Sequence, residues 1–405
     1  MRPAARVGLA LLALTSALAA GPLAQTPPDT PVMVLRAARV FDGEQVHRDW
    51  AVHVAGRTIV AAGPAATTAP PAGARILDLR DSHVLLHPYD EASWNDQVLK
   101  ESEALRVARA TNHLRATLQA GFTTLRDLGT EGAGYADLGL RQALDQGILR
   151  GPRLLIGSKA IVATGSYGPK GFAAEWPVPQ GAEEADGVDA LVRVVRSQIG
   201  KGADWVKVYA DYRWGPAGEA RPTFSVDELR LIVDTAASSG RLVAAHAGTA
   251  EGMRRAALAG AATIEHGDEG TPEVWALMKE RGVALCPTLA AAEASSRYAG
   301  WTKGAQPAPA RILRKRDTFK AALAAGVTIC NGSDVGVFAH GDNALELELM
   351  VEYGMTPLDA LRAATSVNAR VLRLESRVGR IPPGPGGGPL PLGGGPPPGN
   401  GAAPP

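Results

Sequence analysis

LVAAHAGTAEGMRRAALAGAATIEHGD, residues 242–268, is the stretch that decides the fold. It opens on a short apolar run ending His-Ala-Gly and closes on a second, ATIEHGD, ending His-Gly-Asp. Between them TAEGMRRAALAG has a helix-compatible pattern and stops on glycine, the usual helix terminator. Strand, helix and strand in such a short span form a βαβ unit, whose crossover makes the two strands parallel. Both strands carry a histidine near the C-terminal end.

The alternation recurs in FTTLRDL (122–128), PRLLIGS (152–158), DWVKVYA (204–210), VALCPTL (283–289) and VTICNGSD (327–334), with helical segments such as ARILRKRDTFKAALAAG between them. That makes seven strands, and a closed (β/α)8 barrel of about 250 residues needs eight. DSHVLLHP, at 81–88, is the segment left to supply the first. The expected fold is therefore α/β, a (β/α)8 TIM barrel over residues 81–381, with an open doubly wound sheet as the alternative. Upstream, residues 32–61 read as short alternating strands with turns at Asp42-Gly43 and Gly56, so 32–80 is expected to be a small, incomplete N-terminal β-unit. Residues 382–405 are almost entirely proline and glycine and are expected to form a disordered tail, leaving that β-unit without partner strands and with an unpaired edge.

Forty-two basic residues against forty-one acidic ones leave a net charge of +1, which gives no electrostatic footprint for nucleic acid; a small-molecule partner is expected. Residues 1–20 join Arg2 and Arg6 to an apolar run and Ala17-Leu18-Ala19, the pattern of a secretory signal peptide. Nothing else is long and apolar enough to span a bilayer, so an exported protein, periplasmic or secreted, is expected. Cys286 and Cys330 could pair there, but both sit in apolar runs, where a buried thiol is the commoner reading.

Functional side chains of a (β/α)8 barrel sit at the C-terminal strand ends. Reading those ends gives Arg126, Asp127, Lys207, His246, His266 and Asp334. Two imidazoles on successive strands and a carboxylate on the last supply donors suited to Zn²⁺ or a similar divalent ion. Each alone has a plainer role: a hydrogen-bonded strand histidine, a polar strand face, a helix cap.

These residues, with FTTLRDLGTEG, ADWVKVY and CNGSDVGVFAHGDNALELELMVEYGMTPLDALRAATSVNA, resemble the amidohydrolase superfamily, specifically its imidazolonepropionase-like and Xaa-Pro or Xaa-Arg dipeptidase-like members, over roughly residues 33–381. The resemblance implies hydrolysis of C–N bonds in small substrates such as dipeptides by a metal-activated hydroxide. It implies one or two divalent ions, zinc first, and carbon dioxide held as a carbamate on Lys207. It gives Lys207, His246, His266 and Asp334 as metal ligands, with Asp334 also the proton carrier, and His83 as a further ligand. Tyr167, Tyr209, Tyr212, Arg213 and His340 are candidates to bind substrate. Homo-oligomerisation stays open.

One motif departs from the family. Relatives end the first barrel strand in His-x-His, whereas ILDLRDSHVLLHPYD has no such pair: either His83 stands for the second histidine, or it stands for the first and Leu85 has replaced the second. On a strand His83 and His87 would be about 13 Å apart, too far to share an ion. The competing reading is therefore an impaired or inactive barrel of the same family, surviving as a binding protein or a damaged gene product. A Schiff-base role for Lys207 leaves the histidines unexplained.

Overall fold

The computed structural model describes residues 32–55, 58–64, 78–381 and 390–391. The expected signal peptide lies outside the described residues, as does the expected tail apart from Leu390 and Pro391.

Three antiparallel strands come first: β1 (Val32–Phe41), β2 (Val46–Ala55) and β3 (Thr58–Pro64). Asp42 sets the first turn, its Oδ1 accepting the Glu44 and Gln45 N–H groups. Gly43 must be glycine: its φ is 104°, and a Cβ there would meet the Gly379 carbonyl at 2.3 Å, so this turn packs directly on the end of the barrel. Val40, Val52, Val54, Ile59 and Ala62 form a small core of their own.

The barrel supplies β4 (Asp78–Ser82), β5 (Phe122–Asp127) and β6 (Arg153–Ile156), then β7 (Ile161–Val162) and β8 (Glu183–Glu184) in the following loop. Next are β9 (Trp205–Tyr209), a β10 (Asp211–Arg213) and β11 (Ala220–Pro222) hairpin, and β12 (Leu242–Ala247), β13 (Thr263–His266) and β14 (Ala284–Cys286). The last strand among the described residues is β15 (Leu390–Pro391). β4, β5 and β6 pair in parallel, as do β9, β12, β13 and β14. Asp204 N–H donates to Ile156 O at 2.8 Å and joins the two groups. The ring closes through residues 327–335, where Cys330 N–H donates to Leu285 O and His83 N–H to Val335 O. The TIM barrel is thus complete.

Three expectations need correction. The first barrel strand stops at Ser82, and the chain turns at once, Leu86 N–H returning to His83 O; 327–334 makes isolated bridges instead of a regular strand. β3 does gain a partner, since β15 pairs with it through Leu390↔Ile59 and Pro391↔Thr58. Backbone pairing needs no apolar side chains, so a proline- and glycine-rich stretch can supply it. Finally, Cys286 and Cys330 form a disulfide: pairing around Leu285 brings their Cα atoms to 4.8 Å.

Side chains alternate between the two faces of each strand as the pleat requires. Val206, Val208, Val243, Ala245 and Ile264 face the helices and pack with Leu229, Ile232, Met253 and Trp275, which leaves Lys207, His246 and Glu265 facing inward. Helices Ala250–Ala259, Pro272–Arg281 and Ala310–Ala325 all stop on left-handed glycines, Gly260, Gly282 and Gly326.

Candidate active site at the barrel mouth

The C-terminal strand ends surround a cavity of about 300 Å³. His83, Lys207, His246, His266 and Asp334 all line it, as do Tyr167, Tyr209, Tyr212 and Arg213. Local backbone geometry aims several of these. His266 has φ 78°, which breaks the pleat so that Glu265 and His266 both reach the same cavity. Glu131, Thr288 and Asp334, with φ of 48°, 50° and 58°, are left-handed as well and line the same space. Non-glycine residues held in this region cluster at functional sites, because surrounding structure must maintain them.

Each imidazole has a fixed orientation. His266 Nδ1 lies 2.7 Å from Thr288 Oγ1, leaving Nε2 for the cavity, while Lys315 donates to the His266 carbonyl at 2.7 Å. His246 stacks on Tyr209 with ring centroids 4.5 Å apart and meets His266 edge-on at 4.4 Å. Buried Asp211 lies 3.8 Å from His246 Nε2 and accepts from the Gly248 and Thr249 N–H groups and the Thr249 hydroxyl. A Cβ at Gly252 would lie 2.1 Å from Asp211, so glycine is what lets that carboxylate seat itself at the helix start.

Burial, then the positive neighbours His266 and Lys207, push His246 well below its usual range. Burial also brings His266 down to about 4, opposed by Asp334 and helped by Lys207 and Lys315. Both imidazoles are therefore neutral, the form that ligates metal. His83 is different. Its Nδ1 is 2.9 Å from Gly129 O and its Nε2 is 3.0 Å from Asp334 Oδ1. Burial disfavours its charge, yet the hydrogen bond to Asp334 and the surrounding carboxylates raise it to about 10. Asp334 responds in the opposite sense: against its burial, His83, His266 and Lys207 hold it well below the usual carboxylate range.

Other candidates named from the sequence lie elsewhere. His340 does not line the cavity; it stacks on His113 at 4.3 Å, and its Nε2 is 3.3 Å from the His83 carbonyl, so it braces the backbone behind His83. Its nearness to Asp334 in sequence is not nearness to the cavity, because Gly336 turns the chain. His87 is held between Glu91 and Glu101, at 3.0 and 3.1 Å, outside the cavity. Leu85 is buried with Val84, Leu114 and Leu125 and does not face the cavity, which His83 lines. Arg126 lies below the cavity, over Trp205 at 4.3 Å and paired with Glu265 at 3.1 Å. Glu131, Asp211 and Thr288 escape a reading of the sequence alone. The first closely follows a strand end in FTTLRDLGTEG, and that position is the available signal.

Among the described residues no three His, Cys, Asp or Glu side chains stand together as a ready metal-holding group, and Lys207 stands beside His246 and His266 on the same wall of the cavity.

Comparison with known proteins agrees with this architecture. Ochratoxinase of Aspergillus niger is 33% identical over 304 residues, covering 68% of this chain and 61% of the relative, so the chain spans about three-fifths of the length of that curated relative. A solved Xaa-Pro dipeptidase with methionine bound in its active site superposes with a TM-score of 0.74 at 28% identity, covering 87% of this chain and 92% of the other. The crystal structure of A. niger ochratoxinase gives 0.71 at 27% identity, covering 87% of each chain. A prolidase complexed with N-methylphosphonate-L-proline gives 0.73 at 27% identity, covering 87% and 90%. Residues 77–385 match the amidohydrolase family model, and the chain belongs to the amidohydrolase family.

Proposed function

We propose that this protein hydrolyses C–N bonds of small amides, dipeptides foremost, with a divalent metal held at the barrel mouth. The observation that carries the reading is the meeting of Lys207 with two neutral imidazoles, His246 and His266, and an ionised carboxylate, Asp334, around one cavity. Prolidase, dipeptidase and ochratoxinase neighbours support the amide class. Amidohydrolases generally use divalent ions, and this donor set fits one provided Lys207 becomes an anionic ligand. Lys207 is 3% exposed on β9, beside Ala244 of β12, and a carbamate formed there with carbon dioxide supplies that ligand. Zinc suits the nitrogen and oxygen donors.

Lys207, His246 and His266 would hold the principal ion, with Asp334 and His83 facing it. When bound, such an ion supplies Lewis acidity to the scissile carbonyl and acidifies water. The chain's own part is proton handling and placement. Asp334, kept ionised, accepts a proton and delivers it to the departing nitrogen. Thr288 orients His266 and Tyr209 stacks on His246, while Tyr167, Tyr209, Tyr212 and Arg213 contact the substrate. Export is part of the proposal: the Cys286–Cys330 disulfide suits an oxidising compartment.

The impaired-barrel reading has its own support, since Leu85 lies in the core and only His83 remains from the first strand. Metal analysis and turnover decide between the two. We expect about one equivalent of tightly held divalent ion, a second held weakly, and dipeptide hydrolysis that is lost on chelation and restored by zinc. Metal-free protein that still hydrolyses dipeptides, or zinc-loaded protein inert toward every dipeptide and N-acyl amino acid tried, overturns the proposal.

A further inference from the structure

Glu131 is 3% exposed, lines the cavity and is absent from the expected ligand set. Its carboxylate accepts from three aromatic side chains: Tyr167 OH at 2.5 Å and Trp94 Nε1–H at 2.8 Å on Oε2, and Tyr209 OH at 3.3 Å on Oε1. In each of these bonds the ring group donates and a Glu131 oxygen accepts. Among the described residues no Lys, Arg or His side chain forms an ion pair with it. The nearby Arg106 guanidinium is instead spent on backbone carbonyls, reaching Glu131 O at 2.7 Å, Thr130 O at 3.0 Å and Leu85 O at 3.1 Å. Burying a carboxylate with no direct ion pair is costly, and Arg106 and His83 act on Glu131 only at a distance.

The surroundings indicate the kind of cation. Tyr167 packs edge-to-face against Trp94, Tyr209 and Tyr212, with centroids 5.1, 4.9 and 4.8 Å away, so the rings brace one another while three of them turn an O–H or N–H toward the carboxylate. Oε2 already has two donors, whereas Oε1 has only the long bond from Tyr209. Oε1 faces the ligand side: a Cβ built on Gly129 would lie 3.1 Å from it and 3.4 Å from His83 Cε1, and glycine keeps that space open. Glu131 belongs to no metal-type cluster among the described residues. A buried carboxylate with one under-used oxygen on the cavity suits an organic ammonium, which combines a positive charge with N–H donors.

We propose that Glu131 and its aromatic cage bind a protonated amine of the substrate, making the enzyme selective for amides that carry a free amino group, such as unblocked dipeptides. The proposal rests on the amide-hydrolase reading for its substrate, but its test does not need turnover. The probes are a phosphinic pseudodipeptide, Ala-ψ[P(O)(OH)CH2]-Ala, with a free amino terminus and the same compound N-acetylated, each titrated calorimetrically into the full protein. We expect the free amine to bind about 10- to 100-fold tighter, the range of a charged hydrogen-bonded pair in a dry site. Glu131→Gln should bind both probes alike. Trp94→Phe, which keeps a ring and removes one competing donor, should retain the preference. Equal binding by the unmodified protein, binding of neither probe, or a preference that survives Glu131→Gln overturns the proposal. Amine selectivity in binding without hydrolysis would remove the hydrolase reading and leave the ammonium site standing. Equal hydrolysis of free and N-acetylated dipeptides would do the reverse.

Discussion

On one side of the cavity Lys207, His246 and His266 stand on β9, β12 and β13, three neighbouring strands in continuous parallel register. On the other side His83 follows a strand that stops at Ser82, and Asp334 sits in a stretch bonded to its neighbours only through isolated bridges. The first side holds its imidazoles neutral, ready for an ion; the second has its one imidazole and its carboxylate bonded to each other. Regular strands fix donors separately, whereas an irregular seam leaves them to satisfy one another. The sides are therefore expected to respond differently to change.

Asp334→Asn should have the largest effect. It keeps the shape and removes the proton carrier, so kcat for dipeptide hydrolysis should fall about 10²- to 10⁴-fold. Steady-state kinetics with circular dichroism checks this, and a loss under about tenfold would mean that the irregular side contributes little chemistry. Leu85→His asks whether that side can be repaired by restoring the family's second histidine. Because Leu85 is 1% exposed among Val84, Leu114 and Leu125, the polar ring should cost about 2–4 kcal/mol of stability. Metal analysis of the folded fraction should show no added tight equivalent; a gained equivalent would show that the turn after Ser82 can swing inward. On the regular side, Thr288→Val removes the partner of His266 Nδ1 and should weaken metal affinity about tenfold, the lower end for such orienting groups. Competition with a calibrated chelator measures it.

What the sequence discloses follows the same division. Where the strand is regular, as in LVAAHAG, the pleat places residues on a face and His246 can be read directly. His266 shares the parity of Ile264, which packs toward the helices, and reaches the cavity through its left-handed backbone. Where geometry depends on long-range contact, reading stops short. His340 is six residues from Asp334 but lies behind it, stacked on His113. Glu131 follows a strand end that pattern does place, but its cage comes from Trp94, Tyr167 and Tyr209, which only folding assembles. The disulfide escapes the sequence for a related reason: apolar surroundings are equally the signature of a buried thiol and of a buried cystine.

That disulfide joins β14 to the stretch that closes the barrel, four residues before Asp334. By bridging a sequence separation of 44 it removes about 4 kcal/mol worth of chain entropy from the unfolded ensemble. Its location matters as much as its size. The rim is cinched where hydrogen bonding is sparsest, so oxidation acts as a final fastening, and in reduced protein the seam would be the first part of the wall to open, carrying Asp334 with it.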